Sequence, residues 1–227
     1  MSEQYPLDLP HTPAFAAEDY LASDCNAAVR GLIERWPSWP HGTAAIWGPK
    51  GSGKSHLSAI WGTAAEARPL DPAALPALDL ASLPAPCRFV LDLGARALQA
   101  EAETPLFHLL NIVRERQGAL LLVARAAPAR WKVGLPDLSS RLRALAAAEA
   151  LPPDDALFAR VVEKLCFDRQ LAIDRPTIDY LAKRLDRSFA AAVAIVAALD
   201  RAALAAKRPI TLSLARAALK TIRNTGE

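Results

Sequence analysis

The sequence predicts a parallel α/β domain followed by a small all-helical domain. Three observations lead there. The stretch Gly48-Pro49-Lys50-Gly51-Ser52-Gly53-Lys54-Ser55 fits G-x-x-x-x-G-K-[ST] at every defined position. Short apolar runs alternate with helical patterns from Thr43 to about Leu142, the order in which a parallel sheet is built. From Leu151 onward strand patterns disappear and helix-start signals recur. The expected division is an N-terminal segment 1–10, an α/β domain 11–150 and a helical domain 151–227.

The glycine-rich stretch has the flanks its chemistry needs. Thr43-Ala44-Ala45-Ile46-Trp47 reads as a strand, and His56-Leu57-Ser58-Ala59-Ile60-Trp61 begins a helical pattern. Glycines let backbone N–H groups turn inward around a phosphate without Cβ clashes. The helix start adds its unpaired donors and the positive end of its dipole. Lys54 is expected to reach the β- and γ-phosphates, and Ser55 to offer its hydroxyl to Mg²⁺.

Composition sets bounds. With 52% hydrophobic and 22% charged residues in 227, a packed core is expected and global disorder is not. A formal net charge of +3 is too small to argue for nucleic acid. Cys25, Cys87 and Cys166 lie far apart, in no metal-ligand spacing, and read as reduced thiols of a cytoplasmic protein. The first residues carry no basic region followed by an apolar run, so no signal peptide is expected. The longest apolar run, Phe189 to Leu199, is too short to span a bilayer, and no membrane partner is expected.

In chain order, Gln4-Tyr5-Pro6-Leu7-Asp8-Leu9-Pro10 reads as extended, because its prolines disfavour helix. It is either an arm packing its leucines on its own domain or a short linear motif for another protein's pocket. Ser23-Asp24-Cys25-Asn26 caps a helix that follows. Phe15, Tyr20 and Asn26, just upstream of the first strand, are candidates to wall an adenine base. Arg68 to Pro86 is proline-rich and reads as loops with a degenerate edge strand. Arg88-Phe89-Val90-Leu91-Asp92 reads as a buried strand delivering a carboxylate at its C-terminal end, the Walker B position that holds Mg²⁺; Leu93 follows where a second acid is usual. Thr104 to Gln117 reads as a helix, Gly118 to Val123 as a strand, and Pro136 opens another helix. In the second domain Pro152-Pro153-Asp154, Arg175-Pro176-Thr177, Asp186-Arg187-Ser188 and Pro209-Ile210-Thr211 start four helices.

A P-loop α/β domain followed by a helical lid resembles the AAA+ family. Within that family, Gly134-Leu135-Pro136-Asp137-Leu138-Ser139-Ser140-Arg141-Leu142 resembles the box VII segment of DnaA and its relatives, and Leu185-Asp186-Arg187 and Leu199-Asp200-Arg201-Ala202 resemble their lid. Gln4-x-x-Leu7-x-Leu9-Pro10 is similar to the sliding-clamp-binding motif of the Hda group, and few residues follow the lid where DnaA carries a DNA-binding domain. The resemblance implies ADP or ATP with Mg²⁺ held by Gly48, Pro49, Lys50, Gly51, Ser52, Gly53, Lys54, Ser55, His56, Asp92 and Arg187. It implies clamp binding through Gln4, Leu7 and Leu9, with DNA reached only through the clamp. It also implies that Arg141 is a trans arginine finger that stimulates hydrolysis of DnaA-bound ATP, with Arg143 a nearby rival. Some positions depart from the family pattern: Leu93 in Walker B, Val123-Ala124-Arg125 where a polar sensor 1 is expected, and Ala190 where the sensor 2 arginine belongs. Arg187, three residues earlier, would share a helix face with that position if it were helical. These departures imply weak or absent intrinsic ATP hydrolysis. An autonomous P-loop ATPase and a DnaA-like DNA-binding initiator are the alternatives, and self-association is open.

Overall fold

The computed structural model describes residues 20–95, 98–206 and 208–225. Five parallel strands form one sheet: β1 (Thr43–Trp47), β2 (Arg68–Leu70), β3 (Arg88–Gly94), β4 (Ala119–Ala124) and β5 (Ala146–Glu149), in spatial order β2-β3-β4-β1-β5. The chain leaves β1 for the far edge and returns strand by strand through β4. It then crosses to the other side of β1 for β5. That reversal puts the carboxyl end of β1 at the switch point of the sheet, where open α/β sheets bind ligands.

Both faces of the sheet are covered. Leu120 and Leu122 of β4 join one buried cluster with Leu106, Leu109 and Leu110 of α3 (Ala100–Glu115) and Leu138 and Leu142 of α4 (Pro136–Ala144). Leu121 and Val123 point the other way, toward Val29 and Leu32 of α1 (Ala27–Glu34) and Leu57 and Trp61 of α2 (Lys54–Ala64). Alternate residues of one strand thus serve opposite cores, which is why β4 is continuously apolar rather than alternating. The lid, α5 (Asp155–Asp168), α6 (Arg175–Ala182), α7 (Phe189–Ala206) and α8 (Leu212–Thr225), has a core of its own around Phe158, Val162, Leu181, Ile195 and Leu199. Asp154 and Asp174 cap α5 and α6 by accepting from the N–H groups of Leu157 (2.6 Å) and Thr177 (2.9 Å).

The structure departs from the sequence expectations in five places. β5, unread in the sequence, is Ala-Ala-Ala-Glu; alanine favours helix, but pairing with β1 from Ala44↔Ala146 to Trp47↔Glu149 overrides propensity. α3 begins at Ala100, not Thr104. Its first turn holds Glu101 and Glu103, the charge a helix start favours, and Pro105 lies inside the helix. β3 does not end at Asp92 but runs on to Gly94 through a register shift. Arg187 precedes α7, so the shared helix face with Ala190 does not exist; Ser188 caps that helix, its Oγ accepting from the Ala191 N–H at 3.1 Å. Finally, α7 is, by length and composition alone, apolar enough to cross a membrane. Its Ala192, Ile195, Val196 and Leu199 instead form the seam of the lid core.

The cysteines are free. Burial pushes the Cys166 thiol up to about 11 and raises Cys87 as well, so both are poor nucleophiles near neutrality. Gln4, Leu7, Leu9 and Phe15 lie outside the described residues.

Candidate nucleotide site

The glycine-rich loop occupies the switch point, between the end of β1 and the start of α2. Gly53 precedes α2 in the left-handed region (φ 88°), and Gly51 lies there too (φ 79°). Lys54, the first residue of α2, folds its ammonium back onto the loop. Its Nζ donates to the carbonyl oxygens of Gly48 (2.8 Å) and Pro49 (2.7 Å) and to the hydroxyl of Ser52 (3.3 Å). The Ser52 hydroxyl in turn donates to the Pro49 carbonyl at 3.0 Å. Burial lowers the Lys54 pKa, Asp92 opposes that shift and Arg125 reinforces it. The Asp92 carboxylate therefore acts on the ammonium, although one residue stands in β3 and the other at the start of α2. Its Oδ1 accepts from the Gly94 N–H at 2.8 Å, which fixes the carboxylate at the bend of β3. Ser55 is exposed in the first turn of α2. A serine hydroxyl, an exposed carboxylate and a phosphate cradle are oxygen donors suited to Mg²⁺ held together with phosphates. Among the described residues no cluster of His, Cys, Asp and Glu forms an all-protein metal cage.

A cleft of about 800 Å³ opens beside the loop. Gly51, Gly53, Lys54, Ser55 and His56 form one wall, and the lid forms the other through Val161, Lys164 and Leu165 of α5 and Phe189, Ala190 and Val193 of α7. Tyr20 and Leu21 close a third side. Tyr20 meets the His56 ring edge to face, with centroids 5.4 Å apart, and burial, followed by Cys25, raises its pKa, so the phenol stays neutral. Asn26 does not line the cleft. It is buried behind, where its amide donates to the Leu21 carbonyl (2.9 Å) and accepts from the Ser23 N–H (3.0 Å), holding the segment that carries Tyr20. The same segment is tied to the lid: the Ser23 hydroxyl donates to Asp154 at 3.1 Å.

Arg187 is also outside the lining of the cleft. It makes a two-point pair with Asp155 at the start of α5, at 2.9 and 3.2 Å, and both side chains are more than half exposed. The pair stays within the lid and, being exposed, adds little stability. The first turn of α7 therefore brings Phe189 and Ala190 to the loop and no cation. Its approach is close: the Phe189 N–H donates to the Gly51 carbonyl at 3.1 Å. A Cβ on Gly51 would lie 2.4 Å from that of Ser188, and one on Gly53 would lie 2.9 Å from the Phe189 ring. Apart from Ala190, which the family resemblance put at sensor 2, the lid residues of the cleft were not legible in the sequence, because an apolar residue at a helix start reads as core; only the Ser188 cap before Phe189 marks where that helix begins.

Arg141 and Arg143 stand in α4 on the other side of the sheet from α2. Arg141 is half-buried with its guanidinium 4.8 Å from the Phe107 ring centre, and Arg143 is exposed.

Comparison with known proteins matches these parts. Domain III of the replication initiation protein DnaA from Thermotoga maritima superposes with a TM-score of 0.72, over 94% of this chain and 98% of that one, at 16% identity. AMPPCP-bound DnaA from Aquifex aeolicus superposes at 0.67, over 82% of this chain and 65% of that one, at 15% identity. A variant of RuvB from Thermotoga maritima also reaches 0.67, over 87% and 66%, at 16% identity. An uncharacterised protein of Haemophilus influenzae is 25% identical over 226 residues, 93% of this chain and 96% of its own. The fold and the loop are those of the AAA+ arrangement, a parallel P-loop sheet carrying a helical lid. Residues 159–219 match the family model described as Hda, lid domain. The chain thus carries a lid similar to that of Hda on a fold similar to domain III of DnaA.

The close approach of loop and lid makes a sharp prediction. Gly51→Ala forces a side chain into the left-handed region and into Ser188, so the lid must withdraw from the loop. The Phe189 amide, bonded to Gly51 in the wild type, should exchange its hydrogen about tenfold faster or more, consistent with about 1–3 kcal/mol of strain. Hydrogen exchange measured at that amide, with the β4 amides unchanged as a control, checks it.

Proposed function

We propose that this protein is an adenine-nucleotide-binding regulator of replication initiation that stimulates hydrolysis of DnaA-bound ATP. The observation that carries the reading is an Hda-type lid whose α7 reaches a complete phosphate loop with Phe189 and Ala190, where no cation stands. The loop supplies what binding requires: N–H donors, Lys54 and the oxygens of Ser55 and Asp92 for Mg²⁺. Ala190 at the start of α7, Leu93 after Asp92 and Val123-Ala124 at the end of β4 offer no group to polarise an attacking water or to neutralise charge in the transition state. A nucleotide bound here, ADP or ATP, is held rather than consumed and sets the angle between base and lid. Binding to the folded state alone also stabilises it by mass action. Tyr20 and the apolar residues of the lid wall, Val161, Leu165 and Val193, suit a purine base, and the loop side of the cleft suits its phosphates.

In this reading the hydrolytic chemistry belongs to the partner. The Gln4, Leu7, Leu9 segment docks on the sliding clamp, so DNA is met only through the clamp. Arg141 then enters the active site of ATP-loaded DnaA. There a planar guanidinium stabilises charge on the transferring phosphoryl, an effect worth about 10³–10⁵ in rate for fingers of this kind. The relatives' fold and the lid family support a DnaA-related role, and the fit of a planar guanidinium to phosphate oxygens supports the finger. The protein acts in the cytoplasm, where DnaA and the clamp are found.

Three outcomes test this. Calorimetry with ADP and Mg²⁺ should detect binding that Lys54→Ala weakens by about 10–100-fold, the worth of hydrogen bonds to a charged group, while the isolated wild-type protein turns over far less than one ATP per second. In an assay of DnaA-bound ATP hydrolysis with clamp loaded on DNA, Arg141→Ala should lose stimulation while keeping ADP and clamp binding, and Arg143→Ala should retain most of it. Equal activity of both variants would remove the finger from the reading. Replacing Gln4, Leu7 and Leu9 together by alanine should abolish clamp binding measured by surface plasmon resonance and leave the Kd for ADP unchanged.

A further inference from the structure

We infer that Phe107 and Glu103, one turn apart on α3, are the positioning residues of Arg141: Glu103 anchors the start of α4, and the Phe107 ring holds the Arg141 guanidinium while leaving its donors unspent. The inference rests on the finger reading above.

The anchor is the buried carboxylate of Glu103, which is 9% exposed. Its Oε1 accepts from the Gly134 N–H at 3.0 Å and its Oε2 from the Leu135 N–H at 2.8 Å. Leu135 is the residue just before α4, and its carbonyl accepts from the Ser139 N–H at 3.0 Å, the first turn of that helix. A buried carboxylate needs such partners, and here both are backbone donors of the segment leading into α4. The helix that carries Arg141 is therefore registered on α3 at its very start.

The second contact is one turn further along α3. The Arg141 Cζ lies 4.8 Å from the Phe107 ring centre, inside cation–π range. Arg141 also faces a cavity of about 200 Å³ lined by His41, Arg114 and Ser140 among others, and no carboxylate lines it. Among the described residues no acid pairs with Arg141. The distinction matters physically. A carboxylate would orient the guanidinium equally well, but it would neutralise the charge and occupy the fork that must later bind phosphoryl oxygens. An aromatic face restrains the group through its ring quadrupole and takes none of its N–H donors. The arrangement orders the side chain before the partner arrives, so less rotamer entropy is lost when it inserts, and it leaves the charge intact.

The test compares Phe107→Leu and Phe107→Met, which fill the space without a ring, with Phe107→Tyr, which keeps it. The readouts are DnaA-bound ATP hydrolysis, with clamp on DNA, and the Arg141 Nε–H proton shift in the isolated protein. The ring should move that proton upfield in the wild type and in Phe107→Tyr, and the displacement should vanish in both ringless variants. Their maximal rate should fall about 2–5-fold, as expected for a partly exposed cation–π contact, with the half-saturating concentration unchanged, and Phe107→Tyr should restore it. Added to Arg141→Ala, Phe107→Leu should cost nothing more. An unmoved Nε–H proton, or full maximal rates in both ringless variants where Arg141→Ala is inactive, overturns the inference. Full activity of Arg141→Ala itself overturns the finger reading instead, and the proton shift still reports the contact.

Discussion

The contact on which this molecule most depends is the seat of the first turn of α7 on the glycine-rich loop. The Phe189 N–H bonds the Gly51 carbonyl, and the two glycines leave no room for a side chain between loop and lid. One backbone segment is thereby shared by two tasks. It lines the cleft, and its Cα surface carries the lid. Because the loop cannot change shape without moving Phe189, anything bound in the cleft is coupled to the position of a four-helix domain. The coupling is mechanical and local, and the Ser23–Asp154 hydrogen bond adds a second tie between base and lid on the far side of the cleft.

The sheet supplies the rigid frame for this arrangement. β4 is fully buried, its side chains serving two cores, and β1 lies beside it with the loop at its carboxyl end. A central strand closed on both faces resists displacement, because interiors this densely packed transmit shifts rather than absorb them. The loop, Asp92 at the bend of β3 and Arg125 just past β4 consequently share one end of the sheet. The lowered Lys54 pKa follows from that: burial disfavours the ammonium, Asp92 opposes the shift and Arg125 adds to it, while the loop carbonyls accept the ammonium's hydrogen bonds.

The cleft and the α4 side of the base are built differently. At the cleft the cation Lys54 is satisfied by its own loop, and a ligand phosphate would have to take over those hydrogen bonds. At α4 the Arg141 guanidinium lies on an aromatic ring beside a cavity that holds no acid. The first arrangement suits a nucleotide retained by the subunit, and the second suits a charge offered to another molecule. Arg187, paired with Asp155 inside the lid, belongs to neither.

What the sequence determined by itself was whatever depends on local chemistry. The phosphate loop and its flanks, the strands ending near Asp92 and Val123, the proline at the start of α4 and the Asp and Ser caps of the lid helices all follow from contacts within a few residues. So does the order of elements, since a parallel sheet needs helical crossovers between its strands. Tertiary structure decided the rest. Alanines 146–148 became a strand only because β1 offered an unpaired edge. Arg187 fell outside its helix because Ser188, not an earlier residue, took the cap. Asn26 went behind the cleft while Tyr20 entered it, a choice made by the backbone groups of Leu21 and Ser23. Phe189 reached the loop, and Phe107 reached Arg141, across separations that no periodicity records. For β5, Phe189 and Phe107 the deciding partner is distant in sequence, and its energy appears only once the chain has folded to bring it there; for Arg187 and Asn26 the partners are near, but the folded chain chose among competing local ones.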